Sequence, residues 1–229
     1  MNEVDKIYHE LSIHGWTVAP FNGDQGQFLS FANSFGNPIP SRRAGTLVDI
    51  LVPSLPQDAR PRSMSAIFGE GAFPYHTDAA YLRIPPKYVL LRVVSEQECT
   101  RDTLLIDTKN IFLSASEQKG IRNEVWLVNG GRGRFYSTII NNDLIEGVSI
   151  VRYDFNCMRP VTRKADEIGR SFWEALQNVP HMPFSWRGGL ILLIDNWRML
   201  HARGPKPTSL KNDRVLERIL ISVQNQSVK

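Results

Sequence analysis

Residues 186–204 read Trp-Arg-Gly-Gly-Leu-Ile-Leu-Leu-Ile-Asp-Asn-Trp-Arg-Met-Leu-His-Ala-Arg-Gly. The aliphatic run lies between a glycine pair and Asp195-Asn196, which are turn residues, so it predicts a short β-strand. Beyond this turn the chain reaches His201, a residue type that often binds metals or transfers protons. The stretch therefore places a candidate functional side chain shortly after a strand.

Short aliphatic or β-branched runs separated by turn residues continue this pattern through the chain from residue 46 onward. The predicted strands cover residues 46–52, 88–94, 103–107, 125–129, 147–153, 190–195 and 216–223. A long helix is predicted at about residues 165–178. Many short strands with one inserted helix predict a mainly β fold with flanking helices, of the double-stranded β-helix (jelly roll, cupin-like) type.

The N-terminal segment has a different pattern, with helical spacing of apolar residues. A first helix is predicted from about residue 5 to residue 14, and Gly15 ends it. Residues 16–21 predict a short strand, and a second helix begins at the N-cap residue Asp24 and runs to about residue 35. Two helices are thus expected to precede the main body.

Size and charge exclude several classes of protein. A chain of 229 residues with 42% hydrophobic residues fits a single domain over residues 1–229. A net charge of +4 does not indicate nucleic-acid binding. Every continuous apolar run is far shorter than a membrane helix, which needs about 20 residues. With two cysteines and no export signal, the cytoplasm is the expected location. We expect no nucleic-acid or membrane partner, and the oligomeric state stays open, with a homodimer as one alternative.

A histidine and a carboxylate lie two residues apart in Phe73-Pro-Tyr-His76-Thr-Asp78. In extended backbone such residues project to the same side, so His76 and Asp78 can reach one ion. By itself this tripeptide is weak, because either side chain could simply bond a turn. His201 supplies a third ligand, and two histidines with one carboxylate suit non-haem iron(II), whereas a structural zinc site needs a fourth ligand.

Two arginines, Arg214 and Arg218, are four residues apart at the start of the last predicted strand, so they share a face. A guanidinium near a metal needs an anion, and a carboxylate gripped at two points is the natural partner. The alternative is a pair of surface arginines that flank a strand.

These segments together resemble the TauD-type, clavaminate-synthase-like family of iron(II)/2-oxoglutarate dioxygenases. The resemblance extends over nearly the whole chain and rests on His-Thr-Asp, Asp-Asn-x-Arg-x-x-His and Arg-x-x-x-Arg in the family's order. Two positions differ from the family pattern: Thr100-Arg101 replaces a glycine pair, and Ala202 replaces the glycine after the distal histidine.

The resemblance implies roles for individual residues. His76, Asp78 and His201 match the iron(II) ligands. Thr103 and Arg214 match the residues that bind the far carboxylate of 2-oxoglutarate. Arg218 matches a position that touches the other end of 2-oxoglutarate or an acidic substrate.

The implied reaction consumes O2 and 2-oxoglutarate and releases succinate and CO2. Because Asp78 is present, halogenation is not expected, and hydroxylation of an unactivated carbon is the predicted outcome. Desaturation, epoxidation or cyclisation of a natural-product intermediate is the alternative. Two hypotheses from other functional classes stay open. One is a jelly roll that binds a metal or a 2-oxo acid without catalysis, and the other is a zinc hydrolase.

The substrate is expected to be a small molecule, acidic or amino-acid-like. Candidate pocket residues are Phe73, Tyr75 and Tyr81 beside the metal motif, although aromatic residues near strands are more often core. Arg134 in a glycine-rich loop, and Arg218, could bind a substrate carboxylate; for Arg134 a solvated loop position is an equal alternative.

Overall fold

The computed structural model describes residues 2–42, 45–61, 63–94, 99–130, 133–206 and 214–223. The described residues include five α-helices: α1 (Glu3–His14), α2 (Gln25–Asn33), α3 (Met64–Phe68), α4 (Ala115–Asn123) and α5 (Arg163–Asn178). The first eight strands are β1 (Trp16–Pro20), β2 (Asn37–Ile39), β3 (Asp49–Leu51), β4 (Phe73–His76), β5 (Tyr88–Val93), β6 (Cys99–Asp107), β7 (Trp126–Asn129) and β8 (Arg134–Ser137). The other seven are β9 (Ile140–Asn141), β10 (Ile150–Val151), β11 (Met158–Pro160), β12 (Met182–Trp186), β13 (Leu190–Asp195), β14 (Met199–Arg203) and β15 (Leu216–Ser222).

The two N-terminal helices begin and end at residues that the sequence marks. Asn2 caps α1 in a capping box with Asp5, and Gly15 ends this helix with φ of 77°, a left-handed conformation that glycine adopts without strain. Asp24 caps α2 in the same way, and this helix ends at Asn33, two residues before the predicted end. Both helices are confirmed.

A six-stranded antiparallel sheet forms the larger layer. Its strand order is β1-β13-β5-β15-β2, and β3 also pairs with β15. The strand β13 lies between β1 and β5 with Leu192 opposite Val18 and Leu91. Its continuous aliphatic sequence follows from this central position, because both faces of the strand are covered.

A four-stranded antiparallel sheet, in the order β12-β6-β14-β4, forms the smaller layer. In this sheet His201 of β14 lies opposite His76 of β4, and on its other side opposite Leu105 of β6. The two histidines that are 125 positions apart in sequence are therefore direct cross-strand neighbours.

Apolar side chains fill the space between the two sheets and cover their outer faces. The core between the sheets includes Val89, Leu91, Leu105, Phe184, Trp186, Leu192, Met199 and Leu220. The helices α1 and α2 cover the outer face of the large sheet, and α5 packs against Ile106 and Leu200 on the small sheet. This is a double-stranded β-helix with helices outside, and the predicted fold class is confirmed.

Several predicted elements differ in extent. The strand predicted at residues 147–153 shrinks to β10, because Val151 N donates to Trp197 O and Arg152 N donates to Ile139 O, on two separate segments. Of residues 46–52 only β3 is a strand. The helix α4 was not predicted, although Ser114 and Glu117 form a capping box at its start.

Candidate metal centre

Three buried side chains lie together where β14 pairs with β4 in the small sheet: His76, Asp78 and His201. The Nε2 atom of His201 is 3.4 Å from Asp78 Oδ2, and Nε2 of His76 is 3.9 Å from Asp78 Oδ1. Ligand atoms about 2 Å from a common ion lie roughly 3–4 Å apart. The donor set of two imidazoles and one carboxylate therefore fits a divalent metal, and it is the predicted triad.

The protonation of this group suits metal binding. Burial, and then the neighbouring His201, lowers the pKa of His76 to about 4, so its imidazole is neutral at pH 7. Burial opposes ionisation of Asp78, but the Arg218 guanidinium and the two histidines outweigh it and hold the pKa of Asp78 well below its usual range. The site thus offers a neutral imidazole and an ionised carboxylate without a proton to displace from either.

Hydrogen bonds from Asn196, which is distant in sequence, hold the turn after His76 in place. Asn196 accepts a hydrogen bond from Asp78 N at 2.8 Å and donates to Asp78 O at 3.0 Å. Its amide also donates to Pro86 O at 3.0 Å. Ala79 follows with φ of 51°, a conformation that non-glycine residues rarely adopt and that the surrounding bonds must hold. Asn196 belongs to the Asp-Asn motif, but sequence alone did not give it this role.

The backbone of the metal motif also bonds a neighbouring segment. Thr77 N donates to Tyr153 O at 2.7 Å, and Tyr153 N donates to Thr77 Oγ1 at 3.1 Å. Thr77 Oγ1 in turn donates to Val151 O at 3.2 Å. The segment around residues 151–154 is therefore attached to the residue between two metal ligands.

A second polar group lies farther along the same interior face. Arg214 Nη1 donates to Thr103 Oγ1 at 2.8 Å, and Trp186 Nε1 donates to the same oxygen at 3.0 Å. Leu105 lies opposite His201 in the neighbouring strand. Thr103 is two residues from Leu105 on β6, so Thr103 lies roughly 7 Å along the strand from the level of His201. The structure therefore brings the predicted pair Thr103 and Arg214 together at a distance from the triad that a five-carbon dicarboxylate can span.

Arg218 is engaged by two carboxylates of the chain itself. Its Nη1 donates to Asp78 Oδ1 at 2.6 Å, and its Nη2 donates to Asp49 Oδ2 at 2.8 Å. Ser41 Oγ supports Asp49 by donating to its Oδ1 at 2.9 Å. Asp49 lies in β3, far from any motif, and no sequence pattern pointed to it.

Two further buried arginines, Arg101 and Arg203, lie near Thr103 on β6 and the neighbouring β14. Arg101, at the position where the family has glycine, lies within β6 and donates to Glu70 O at 2.7 Å. Arg203 donates to the carbonyls of Gly71, at 2.8 Å, and Gly69. Backbone oxygens thus satisfy donors of both side chains.

The predicted substrate residues lie in different environments. Phe73 packs edge-on against His76, with ring centroids 5.4 Å apart. Tyr75 packs against the core under α5, and burial raises its pKa to about 12. Tyr81 donates from its hydroxyl to Ser41 O, close to Arg218. Arg134 is exposed at the start of β8. The structure places Phe73 and Tyr81 beside the centre and Arg134 on the surface.

Within the described ranges, no helix combines the length and the apolar character of a membrane span.

The comparison with known families gives one match. The model of the family described as "Taurine catabolism dioxygenase TauD, TfdA family" matches residues 6–220. No curated protein matches the chain in sequence.

Solved structures with the same fold include three oxygenases of low sequence identity. Asparagine oxygenase in complex with Fe(II), 2S,3S-3-hydroxyasparagine and succinate aligns with a TM-score of 0.71 and 16% identity, over 96% of this chain and 78% of that chain. The non-heme iron oxygenase OrfP in complex with Fe and alpha-ketoglutaric acid gives 0.71 and 16%, over 98% and 81%. The PvcB protein from Pseudomonas aeruginosa gives 0.69 and 18%, over 95% and 79%.

Proposed function

Because this chain belongs to the taurine catabolism dioxygenase TauD, TfdA family, we propose that it is an iron(II)- and 2-oxoglutarate-dependent dioxygenase that hydroxylates an unactivated carbon of a small, amino-acid-like substrate. The single observation that carries the proposal is the buried triad His76, Asp78 and His201, whose ligand atoms lie within 4.8 Å of one another. A three-ligand face of this type leaves positions for a chelating co-substrate and for O2.

The residues present fit these groups in named positions. His76, Asp78 and His201 would hold the metal. Thr103 and Arg214 would bind the far carboxylate of 2-oxoglutarate, because a hydroxyl and a guanidinium 2.8 Å apart form a two-point site for an anion. When bound, iron(II) would supply the activation of O2, coupled to conversion of 2-oxoglutarate to succinate and CO2.

The protein's contribution is orientation and exclusion of water. Trp186, a residue of the core between the sheets, and Arg214 both donate to the hydroxyl of Thr103 and hold it in place. Arg218 keeps the Asp78 carboxylate ionised and in place by a bond to its Oδ1. These contacts pre-organise the ligand side chains before substrate binds.

The amino-acid-like substrate class is supported by the names of two structural neighbours, which are complexes with 3-hydroxyasparagine and with hydroxylated arginine. Tyr81 and Phe73 are the predicted aromatic residues that lie beside the centre. Arg134 remains assigned to the substrate as a prediction from sequence. An Arg134→Ala variant with an unchanged KM for substrate would remove it from this assignment.

The experiment that tests the function is anaerobic addition of iron(II) and 2-oxoglutarate, followed by the weak visible charge-transfer band of their chelate. We expect the band in the wild type and its loss in His76→Ala and in Arg214→Ala. His181→Ala and Arg187→Ala are matched controls, because both side chains are exposed, and they should keep the band. A wild-type protein without the band would overturn the proposal.

Turnover separates the reaction types. In the presence of O2 and substrate, hydroxylation gives equal amounts of succinate and of a product that is heavier by one oxygen atom. Desaturation or ring closure would instead give a product that is lighter by two hydrogen atoms.

A further inference from the structure

A pocket of about 540 Å³ lies between α5, the segment 153–160 and α3. Its walls are mainly apolar and include five aromatic residues, Phe68, Trp126, Tyr153, Phe155 and Trp173. The volume is in the range of pockets that hold small organic ligands. None of the five residues that sequence suggested for the substrate lines this pocket, so it is not explained by them.

The pocket adjoins the metal motif through direct bonds. Pro74 lines the pocket, and its carbonyl is 3.1 Å from Nδ1 of His76. Tyr153, another lining residue, accepts a hydrogen bond from Thr77 N at its carbonyl and donates from its own N–H to Thr77 Oγ1. The wall of the pocket is thus continuous with β4, which carries His76, and is bonded to Thr77 between His76 and Asp78.

One carboxylate, Asp154, lies on the inner wall among these rings. Its Oδ1 accepts a hydrogen bond from Asn156 N at 2.8 Å. Burial raises the pKa of Asp154, and the negative charge of the nearby Asp78 adds to the increase, whereas the hydrogen bonds with Asn156 N and with the Cys157 thiol and the charge of Arg159 act against it. The neighbouring guanidinium of Arg159 is bonded to the carbonyls of Phe155 and Met158. A cation in the pocket would therefore stabilise the ionised form of Asp154.

The other charged residues of the pocket are paired at its rim. Asp166 and Arg170 lie one turn apart on α5, with Oδ2 and Nη2 separated by 3.2 Å. Between them Gly169 leaves the indole of Trp126 uncovered, since a Cβ at this position would lie 3.7 Å from that ring. A Cβ here makes only ordinary contact, so the pocket is closed only by a side chain larger than that of alanine.

The charge on Arg218 points to the same kind of ligand. Sequence suggested that Arg218 would touch either the other end of 2-oxoglutarate or an acidic substrate, but its two terminal nitrogens each bond a carboxylate of the chain. A substrate carboxylate would have to compete with Asp49 and Asp78 for this guanidinium. Recognition through an amine avoids that competition.

We propose that this pocket binds the substrate and selects an aromatic molecule with a protonated amine, which pairs with Asp154. The inference rests on the proposed function, because it assigns the substrate class of the same site. The aromatic walls bury the ring, and Asp154 orients the molecule toward the metal motif. Cation–π contact with the surrounding rings adds to the preference for a positive charge.

The test measures binding without turnover, by NMR of the tryptophan indole N–H groups of the full chain. The probes are 2-phenylethylamine, 2-phenylethanol and 3-phenylpropanoate, which share a ring and differ in charge. We expect the amine to bind roughly tenfold more tightly than the other two, the effect of one charged hydrogen bond. Its addition should shift the signals of Trp126 and Trp173 and leave those of the other three tryptophans unchanged. The same titration is run metal-free and with Zn(II) and 2-oxoglutarate.

Two variants make the result specific. Asp154→Asn retains the acceptor for Asn156 N and should remove the preference for the amine while leaving 2-phenylethanol binding unchanged. Gly169→Leu should fill the pocket and abolish binding of all probes, whereas Gly169→Ala, which makes only ordinary contact with Trp126, should bind them. The acid binding as tightly as the amine, equal amine binding in Asp154→Asn, or shifts confined to other tryptophans would overturn the inference. Because the charge-transfer band is recorded separately, failure here is distinguishable from failure of the dioxygenase function.

Discussion

Asn196 hydrogen-bonds both the amide and the carbonyl of Asp78, so one buried side chain fixes the backbone of this proposed metal ligand on both sides. The residue after this ligand, Ala79, has a left-handed backbone. The turn would relax if Asn196 were absent, because nothing in the alanine side chain favours this conformation. We therefore expect Asn196 to influence metal binding through the position of Asp78.

Replacement of Asn196 by alanine should weaken metal binding. The change leaves three buried backbone groups without their partner, and each such group costs about 1–3 kcal/mol. Loss of a residue that orients a ligand typically lowers metal affinity by about 10–100-fold. We expect both a lower free energy of unfolding and a weaker iron(II) titration. Asn129→Ala, at an exposed position of β7, is the control. Unchanged iron affinity in Asn196→Ala would show that the turn does not depend on this side chain.

Replacement of Thr103 by valine should affect 2-oxoglutarate rather than the metal. Valine keeps the shape of threonine but removes the oxygen that accepts from Arg214 and Trp186. We expect the apparent KM for 2-oxoglutarate to rise by about tenfold or more, the cost of one lost charged hydrogen bond. The iron(II) titration without co-substrate should be unchanged. Thr103→Ser retains the hydroxyl and should restore most of the affinity. A valine variant that loses iron instead would contradict the separation of the two subsites.

The metal-free protein should lose stability as the pH falls from about 6.5 to about 4. His76 has a lowered pKa of about 4 in the folded state, against its ordinary value of 6.5, so in this window only the unfolded chain binds the proton. The free energy of unfolding should decrease by about 3 kcal/mol over this interval, at 1.36 kcal/mol per pKa unit.

Urea denaturation at several pH values in the presence of a chelator measures this decrease. The variant His76→Gln should lack most of it, whereas His181→Gln, at an exposed position, should keep it. The lowered pKa of Asp78 acts only below its ordinary value of 3.8, so it does not contribute in the same window. An equal pH dependence in His76→Gln would assign the effect to other groups.

The sequence predicted those strands whose burial produces a long apolar run. The prediction for residues 190–195 matches β13 at both ends, because a strand between two neighbours and two packed faces must be aliphatic throughout. The strands β4 and β12 gave no such signal, since each contains a proline and only four or five residues. Their pairing is decided by the neighbouring strands, which local sequence does not reveal.

The site was predictable where side chains act by their own chemistry. His76, Asp78 and His201 are recognisable because ligand types recur at a spacing that geometry requires. Asp49 was not, because its role depends on β3 pairing beside Arg218, a contact between residues 169 positions apart. Asp154 lies one residue beyond the strand predicted at residues 147–153, and its place in the pocket follows from tertiary packing alone.

Two glycines in helices should respond in opposite ways to the same substitution. At Gly169 of α5 a Cβ would lie 3.7 Å from Trp126, which is ordinary contact, so Gly169→Ala should raise the free energy of unfolding by about 0.5–1 kcal/mol through helix propensity. At Gly120 of α4 a Cβ would lie 2.5 Å from Cδ1 and 2.7 Å from Cγ1 of Ile168. Ile168 is buried and β-branched, so it has little freedom to move, and overpacking of this kind costs about 1–3 kcal/mol. Gly120→Ala should therefore lower the unfolding midpoint although it replaces glycine by the best helix former. Equal stabilisation by both substitutions would show that α4 and α5 can separate slightly, and that the packing of Ile168 is looser than its burial indicates.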